Sequence, residues 1–234
     1  RADNIPSIRR QPSMNTELAR FNMIEQQIRT WEVLDQGVLT LLAVVRREDF
    51  VPPECRALAF SDTELPLAEG GRDGQVMLAP KVEARLLQAL QVRRHECVLE
   101  VGAGSGYMAA LLAHHAQRVI SLEIRPALAA MAAANLRRAG VLNAEVREAD
   151  GSKGLPSEAP FDVILLSGSV AEVPDSLLEQ LKPGGRLAAI VGQEPVMRAT
   201  LITRLGPSSW QRAELFDTVA PRLKGFPEPP PFRF

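Results

Sequence analysis

The chain has 234 residues, 46% of them apolar, and its 27 basic and 28 acidic side chains give a formal net charge of −1. Interleaved charges disfavour nucleic acid and membrane surfaces as partners, and no apolar run reaches the roughly 18 residues that a membrane span needs. The two cysteines, Cys55 and Cys97, have no Cys or His at ligand spacing, so we expect neither disulfide nor metal site and a cytoplasmic setting.

The first third of the chain predicts a helical extension. Residues 1–15 are expected to be a flexible arm, and the absence of an apolar stretch behind their arginines disfavours an export signal. From Thr16 to Val45 apolar residues recur at spacings of three and four, which predicts amphipathic helices, the second capped by Asp35. Prolines 52 and 53 end this region, and Phe60 to Gly74 is typical of an irregular surface loop. We therefore assign residues 16–75 to an N-terminal helical and loop extension.

From Pro80 onward short apolar strands alternate with helices. The predicted helices are Pro80 to Gln91, Tyr107 to His115, Pro126 to Ala139 and Pro174 to Leu181. The predicted strands are Cys97 to Val101, Arg118 to Leu122, Ala144 to Glu148, Phe161 to Leu166 and Arg186 to Val191. This order predicts an α/β domain over residues 76–226, with a doubly wound, mostly parallel sheet covered on both faces. The tail, residues 227–234, holds four prolines and is expected to lack regular structure.

A turn rich in glycine follows the first strand of this domain. Gly102, Gly104 and Gly106 alternate with Ala103 and Ser105 before the helix that starts at Tyr107. The first two glycines let the backbone turn and let a ligand approach, while the third lets the helix start close to the sheet. The spacing differs from that of dinucleotide sites, and no Lys-Ser or Lys-Thr pair follows, which disfavours a pyrophosphate ligand.

Acidic residues end the next two strands. Glu123 follows the second strand, where a carboxylate can accept both ribose hydroxyls. Asp150 ends the third strand, where it can accept from an adenine amino group, and Gly151 leaves space beside the ring. Together with the glycine turn they predict a site for an adenosine-type ligand. The alternative is that both acids only cap the turns that follow them.

Several ordered segments, from about Phe21 to about Val219, resemble the protein-L-isoaspartate O-methyltransferases. They are Met23 to Ile28, Arg47 to Pro52, Gly74 and Gln75 with Pro80, Val98 to Tyr107, and Lys182 to Arg186. The resemblance implies a Rossmann-like class I methyltransferase fold and S-adenosylmethionine as cofactor. It also implies methyl transfer to the side-chain carboxylate of isoaspartyl residues in proteins or peptides, a repair reaction. The residues expected to bind the cofactor are Gly102, Ala103, Gly104, Ser105, Gly106, Tyr107, Glu123, Ile124, Asp150 and Gly151.

The acceptor half departs from the family pattern. The family's Thr-Ile-Ser-x-Pro motif places a serine hydroxyl beside the acceptor carboxylate, but here Val76 and Leu78 stand at the threonine and serine positions. Near the C-terminus, Val219 to Leu223 replaces a substrate-binding Val-Arg-Phe-Val-Pro-Leu segment, with Arg222 as a candidate partner for a carboxylate.

Three hypotheses follow from this departure. In the first, the chain is a working carboxyl methyltransferase, and backbone N–H groups near Leu78 and the hydroxyls of Ser167 and Ser169 position the acceptor. In the second it methylates another acceptor. In the third it is a relative that binds S-adenosylmethionine without catalysis.

Overall fold

The computed structural model describes residues 16–228, so the predicted arm and most of the predicted tail lie outside the described residues. Helix α1, Thr16–Asn22, continues into a π-helical turn, Met23–Ile28, and a 3-10 turn, Arg29–Trp31. Helix α2, Gln36–Val44, begins at the predicted cap, because the Asp35 carboxylate accepts hydrogen bonds from the backbone N–H groups of Gly37 (2.7 Å) and Val38 (3.1 Å). Within residues 16–228 no helix is long and apolar enough to cross a bilayer.

The segment between α2 and the α/β unit is short of regular structure, as predicted, but it is anchored to the core. It contains 3-10 turns and one small antiparallel pair, β1 (Leu65–Pro66) with β2 (Val76–Met77). Leu65 and Leu67 are buried in the main apolar cluster. The prediction of a surface loop was therefore wrong for these two leucines, because they pack into the same apolar cluster as residues of the N-terminal helices.

The α/β unit follows the predicted alternation. Its helices are α3 (Pro80–Leu90), α4 (Tyr107–His115), α5 (Pro126–Arg138) and α6 (Asp175–Leu178). Its strands are β3 (Cys97–Val101), β4 (Arg118–Glu123), β5 (Ala144–Glu148), β6 (Phe161–Val170), β7 (Leu181–Gln193), β8 (Val196–Gly206) and β9 (Ser209–Asp217). Helix α6 is shorter than predicted because Leu181 already pairs with Phe161 as the first residue of β7.

The strands form one sheet in the order β5-β4-β3-β6-β7-β8-β9. Strands β3 to β7 pair in parallel, and β8 and β9 add an antiparallel hairpin that the sequence patterns did not predict. Along β3, Val98 packs into one apolar cluster, whereas Leu99 and Val101 pack into the other. Both faces of the sheet are thus covered, which confirms the doubly wound α/β class.

The N-terminal helices belong to the same packing unit as the sheet. Met23, Ile28 and Leu42 share the first apolar cluster with Leu86 of α3 and Leu111 of α4. The boundaries at residues 75 and 76, and at 226 and 227, stay predictions. Chain order reverses between β3 and β6, and crevices at such points, beyond the carboxyl ends of the strands, are where α/β sheets bind ligands.

Candidate active site

The glycine turn after β3 has the backbone conformation that its sequence predicts. Gly102, Gly104 and Gly106 all have positive φ, at 95°, 52° and 82°. A Cβ atom on Gly106 would lie 3.1 Å from the carbonyl oxygen of Ala132 in α5 and 3.2 Å from its Cα. Glycine is therefore needed at this position both for the turn and for the close approach of α5.

Glu123 places a fixed carboxylate at the end of β4. The side chain is 5% exposed, and its two oxygens accept separate hydrogen bonds from the backbone N–H of Gly104 (2.9 Å) and of Arg125 (3.0 Å). A carboxylate offers about four lone-pair positions, so each oxygen keeps capacity for one more donor. The arrangement can accept two neighbouring hydroxyl groups.

A cleft opens between the glycine turn and Glu123. It holds about 590 Å³, its open mouth included, and its walls include Ile124, Ala149 and Gly151. A Cβ on Gly151 would lie 2.5 Å from Cγ1 of Val101, so only glycine fits at that point of the wall.

Two segments from distant parts of the chain cover this cleft, residues 73–76 before α3 and residues 222–224 after β9. Asp73 joins them, because its carboxylate lies 3.3 Å from Nζ of Lys224 and 3.7 Å from Nη2 of Arg125. The hydrogen bond from Lys224, followed by the charges of Lys224 and Arg125, lowers the pKa of Asp73. The direct link between the two covering segments through Asp73 and Lys224 is thus an exposed ion pair that solvent screens.

A second, smaller cavity adjoins the cleft. Val76, Gly102, Gly104 and Ser167 line both spaces, so the two meet beside the glycine turn. Ser167 lies where β6 shifts register against β7, between Leu165 and Ser169. Such an irregularity turns side chains out of the regular alternation of a strand, and here it leaves Ser167 at the junction of the two spaces.

Glu100 is a buried carboxyl group in the wall of the second cavity. Its oxygens accept hydrogen bonds from the hydroxyls of Ser121 (2.6 Å) and Ser167 (2.7 Å). Burial raises the pKa of Glu100 to about 7, against the opposing effect of the two serine hydrogen bonds.

Glu83 of α3 lines the same cavity and forms a buried ion pair with Arg47. Arg47 Nη2 also donates to the carbonyl oxygen of Leu78 at 2.7 Å, so this pair fixes the backbone at the position of the family serine. Burial raises the pKa of Glu83 to about 7 although Arg47 opposes the shift. The Tyr107 ring packs against Phe50 and Arg47, and its hydroxyl has no partner among residues 16–228.

The structure brings most of the predicted site residues together. The cleft is lined by Gly102, Gly104, Glu123, Ile124, Gly151 and Ser167, and the second cavity by Leu78, Ala103, Ser105 and Tyr107 as well. Gly106 supports the turn from behind through its contact with α5.

Two predicted residues have other partners. The Ser169 side chain is fully buried and donates to the carbonyl oxygen of Ala220 at 2.7 Å. The Asp150 carboxylate accepts from the backbone N–H of Ser152 at 2.9 Å, which is the capping role that the sequence left open. Their roles, like those of the other site residues, stay predictions.

The sequence patterns missed Glu83 and Glu100. A signal was present in both cases: Glu100 interrupts the apolar strand β3, and Glu83 lies on the buried face of α3 between Val82 and Leu86. Acidic side chains are rarely buried, so an acid at a buried position of an apolar pattern is a candidate for a functional role.

Comparison with known proteins identifies the family of the chain. Residues 19–215 match the family model of protein-L-isoaspartate(D-aspartate) O-methyltransferase. The chain is 43% identical to a protein-L-isoaspartate O-methyltransferase of Methanoculleus marisnigri over 74% of this chain and 77% of that protein. It is 39% identical to protein-L-isoaspartate O-methyltransferase 1 of Syntrophobacter fumaroxidans over 86% and 92%.

A solved structure of a protein-L-isoaspartate O-methyltransferase superposes with a TM-score of 0.76 at 24% identity, covering 90% of this chain and 66% of that one. This superposition supports the fold. The family match over most of the chain and the two relatives establish the lineage: the chain belongs to the protein-L-isoaspartate(D-aspartate) O-methyltransferase family.

Proposed function

We propose that the chain transfers a methyl group from S-adenosylmethionine to the side-chain carboxylate of isoaspartyl residues in damaged proteins, in the cytoplasm. The observation that carries the proposal is the pairing, in a member of this family, of the glycine turn with the fixed carboxylate of Glu123 on one cleft.

The residues present fit an adenosyl cofactor. Glu123 would accept the ribose hydroxyls, Ile124 would cover one face of the adenine ring, and Gly151 gives the ring space. Asp150 would accept from the adenine amino group at the rim of the cleft. The methionyl end would extend along Gly102 to the junction of the cleft with the second cavity, which Gly102, Gly104 and Ser167 line.

The reaction needs little acid or base assistance from the protein. When bound, S-adenosylmethionine supplies a methyl group that its sulfonium already activates. An acceptor carboxylate is ionised at neutral pH. The chain's own residues therefore act by holding the acceptor in line with that methyl group and by excluding water, an effect worth up to roughly 7–11 kcal/mol of the barrier.

Positioning of the acceptor falls to fewer side chains than in the family pattern. The Ser167 hydroxyl lies where the two spaces meet and can turn from Glu100 to a ligand oxygen. The Ser169 hydroxyl would first have to leave Ala220. Backbone N–H groups near Leu78 are the remaining candidates, and Arg47 fixes that stretch of backbone.

A second candidate function is supported by one observation. Leu78 is 6% exposed and Val76 is half-buried, so apolar side chains occupy both positions of the family's hydroxyl pair. This favours either a methyltransferase with a less polar acceptor or a protein that binds S-adenosylmethionine without catalysis.

Transfer of a labelled methyl group from S-adenosylmethionine tests the proposal. Two peptides of identical sequence serve as acceptors, one with an isoaspartyl residue and the other with ordinary aspartate. We expect label in the isoaspartyl peptide only, released by mild base as a methyl ester is. If the cofactor binds but neither peptide takes up label at high enzyme concentration, the proposed repair activity is rejected and the second candidate function is favoured.

A further inference from the structure

We propose that Arg222 is a carboxylate-binding residue at the mouth of the cofactor cleft, and that Glu228 of the C-terminal tail occupies it until the carboxylate of a ligand displaces it. The identity of the ligand rests on the proposed function. The displacement itself concerns only this chain's own residues.

Arg222 is held rigidly from the side of the sheet. The segment around it pairs with the end of β6, since the N–H of Ser169 donates to Pro221 (2.8 Å) and the N–H of Leu223 donates to Ser169 (2.9 Å). Arg222 Nη1 donates to the carbonyl oxygen of Gly192 in β7 at 2.9 Å and lies 3.5 Å from Oγ of Ser169. The guanidinium plane is thus fixed before any ligand arrives.

The other edge of the guanidinium faces the tail. Arg222 Nε lies 2.9 Å from Oε1 of Glu228. Because Nη1 is taken by Gly192, the edge formed by Nε and Nη2 is the one that can bind a carboxylate with two parallel hydrogen bonds. Glu228 therefore stands where the carboxylate of a ligand would bind.

The charges around the cleft single out this pair. Arg125, Arg222 and Lys224 line the cleft, and the first and last both face Asp73. Only Arg222 among these three takes its anionic partner from the tail. The Glu228 side chain is 50% exposed and that of Arg222 is 27% exposed, so the ion pair is weak enough to exchange.

Two ligands of the proposed reaction carry a suitable carboxylate. One is the methionyl carboxylate of the cofactor, and the other is the acceptor carboxylate of the peptide. The chemistry at Arg222 is the same in both cases, so binding measurements with the carboxylate present or absent distinguish them.

The experiment uses the full chain with Glu228→Gln, Arg222→Gln and the control Glu214→Gln, which removes a similar exposed ion pair, with Arg198, in the β8–β9 hairpin. Calorimetry measures the binding of S-adenosylhomocysteine and of 5′-methylthioadenosine, which lacks the amino acid end. It then measures the binding of an isoaspartyl peptide to the protein saturated with S-adenosylhomocysteine. Because no methyl transfer is needed, failure of the repair activity and failure of this proposal are separate results.

If Arg222 binds the cofactor carboxylate, Glu228→Gln raises the affinity for S-adenosylhomocysteine about two- to five-fold and leaves the affinity for 5′-methylthioadenosine unchanged. If Arg222 binds the acceptor carboxylate, the same variant raises the affinity for the isoaspartyl peptide only. In either case Arg222→Gln weakens that same ligand at least about ten-fold. Should Glu228→Gln change no affinity more than Glu214→Gln does, or change both nucleosides equally, the proposal is overturned, whether or not Arg222→Gln folds.

Discussion

Replacing Glu123 with glutamine will weaken cofactor binding without unfolding the chain. In the structure both carboxylate oxygens are held by backbone N–H groups, which leaves one acceptor position on each for a ribose hydroxyl. A hydrogen bond to a charged group is worth about 1.5–3 kcal/mol. Glutamine keeps one acceptor oxygen and loses the other, so we expect a loss of about 1.5–3 kcal/mol, or roughly 10- to 150-fold in affinity.

Calorimetry with S-adenosylhomocysteine measures this loss, and Glu145→Gln, an exposed acid on β5, is the control. The 2′-deoxy form of the ligand completes a double-mutant cycle. It should bind weakly to the wild type but lose little further affinity in Glu123→Gln. Equal affinity of wild type and variant for the ordinary ligand, or additive losses in the cycle, would refute the assignment of Glu123 to the ribose.

Three further predictions concern the acceptor pocket, the turn and the buried acid. Leu78→Ser should raise methyl transfer to an isoaspartyl peptide if only that hydroxyl is missing; an unchanged rate in a folded variant would mean a wider divergence of the pocket. Gly106→Ala should lose at least about 1 kcal/mol more stability than Gly140→Ala, which has a similar φ but open space at its Cβ, and equal denaturant midpoints would contradict this. The folded-state pKa of Glu100 is raised to about 7 from 4.5, so the folded state binds more protons and the Glu100 contribution to stability falls by roughly 2–3 kcal/mol as pH rises from 5 to 8. Glu100→Gln should lack this loss. Urea unfolding at pH 5 and pH 8 measures it, and an equal change in unfolding free energy between the two pH values in both proteins would contradict the prediction.

The sheet was predictable where its strands alternate with helices and pair in parallel. The prediction placed all five strands from β3 to β7, and four of them contain buried apolar runs, whereas β5, with no fully buried residue, was placed by its position in the alternation of strands and helices. The β8–β9 hairpin escaped because β9 is an edge strand with mostly exposed, polar residues. In β8 a register shift between Ala199 and Thr200 breaks the alternation of buried and exposed positions.

The site was predictable where its geometry is local in sequence. Glycines at alternate positions and an acid at the end of the next strand encode a turn and a carboxylate within some twenty residues of each other. The cover was not predictable, because its contacts join distant parts of the chain, as between Asp73 and Lys224. The buried ion pair of Arg47 with Glu83 escaped for the same reason, since a pattern along the chain carries no information on pairs of this kind.

The central claim is that the glycine turn and Glu123 form the binding site of an adenosine ligand that carries a methionyl group. A thermal-shift measurement with S-adenosylhomocysteine tests this claim most directly. At a ligand concentration one hundred times the dissociation constant, binding to the folded state adds about 2.7 kcal/mol. For a chain of this length that raises the melting temperature by roughly 5–10 °C. A folded protein whose melting temperature stays unchanged at millimolar ligand would contradict the claim.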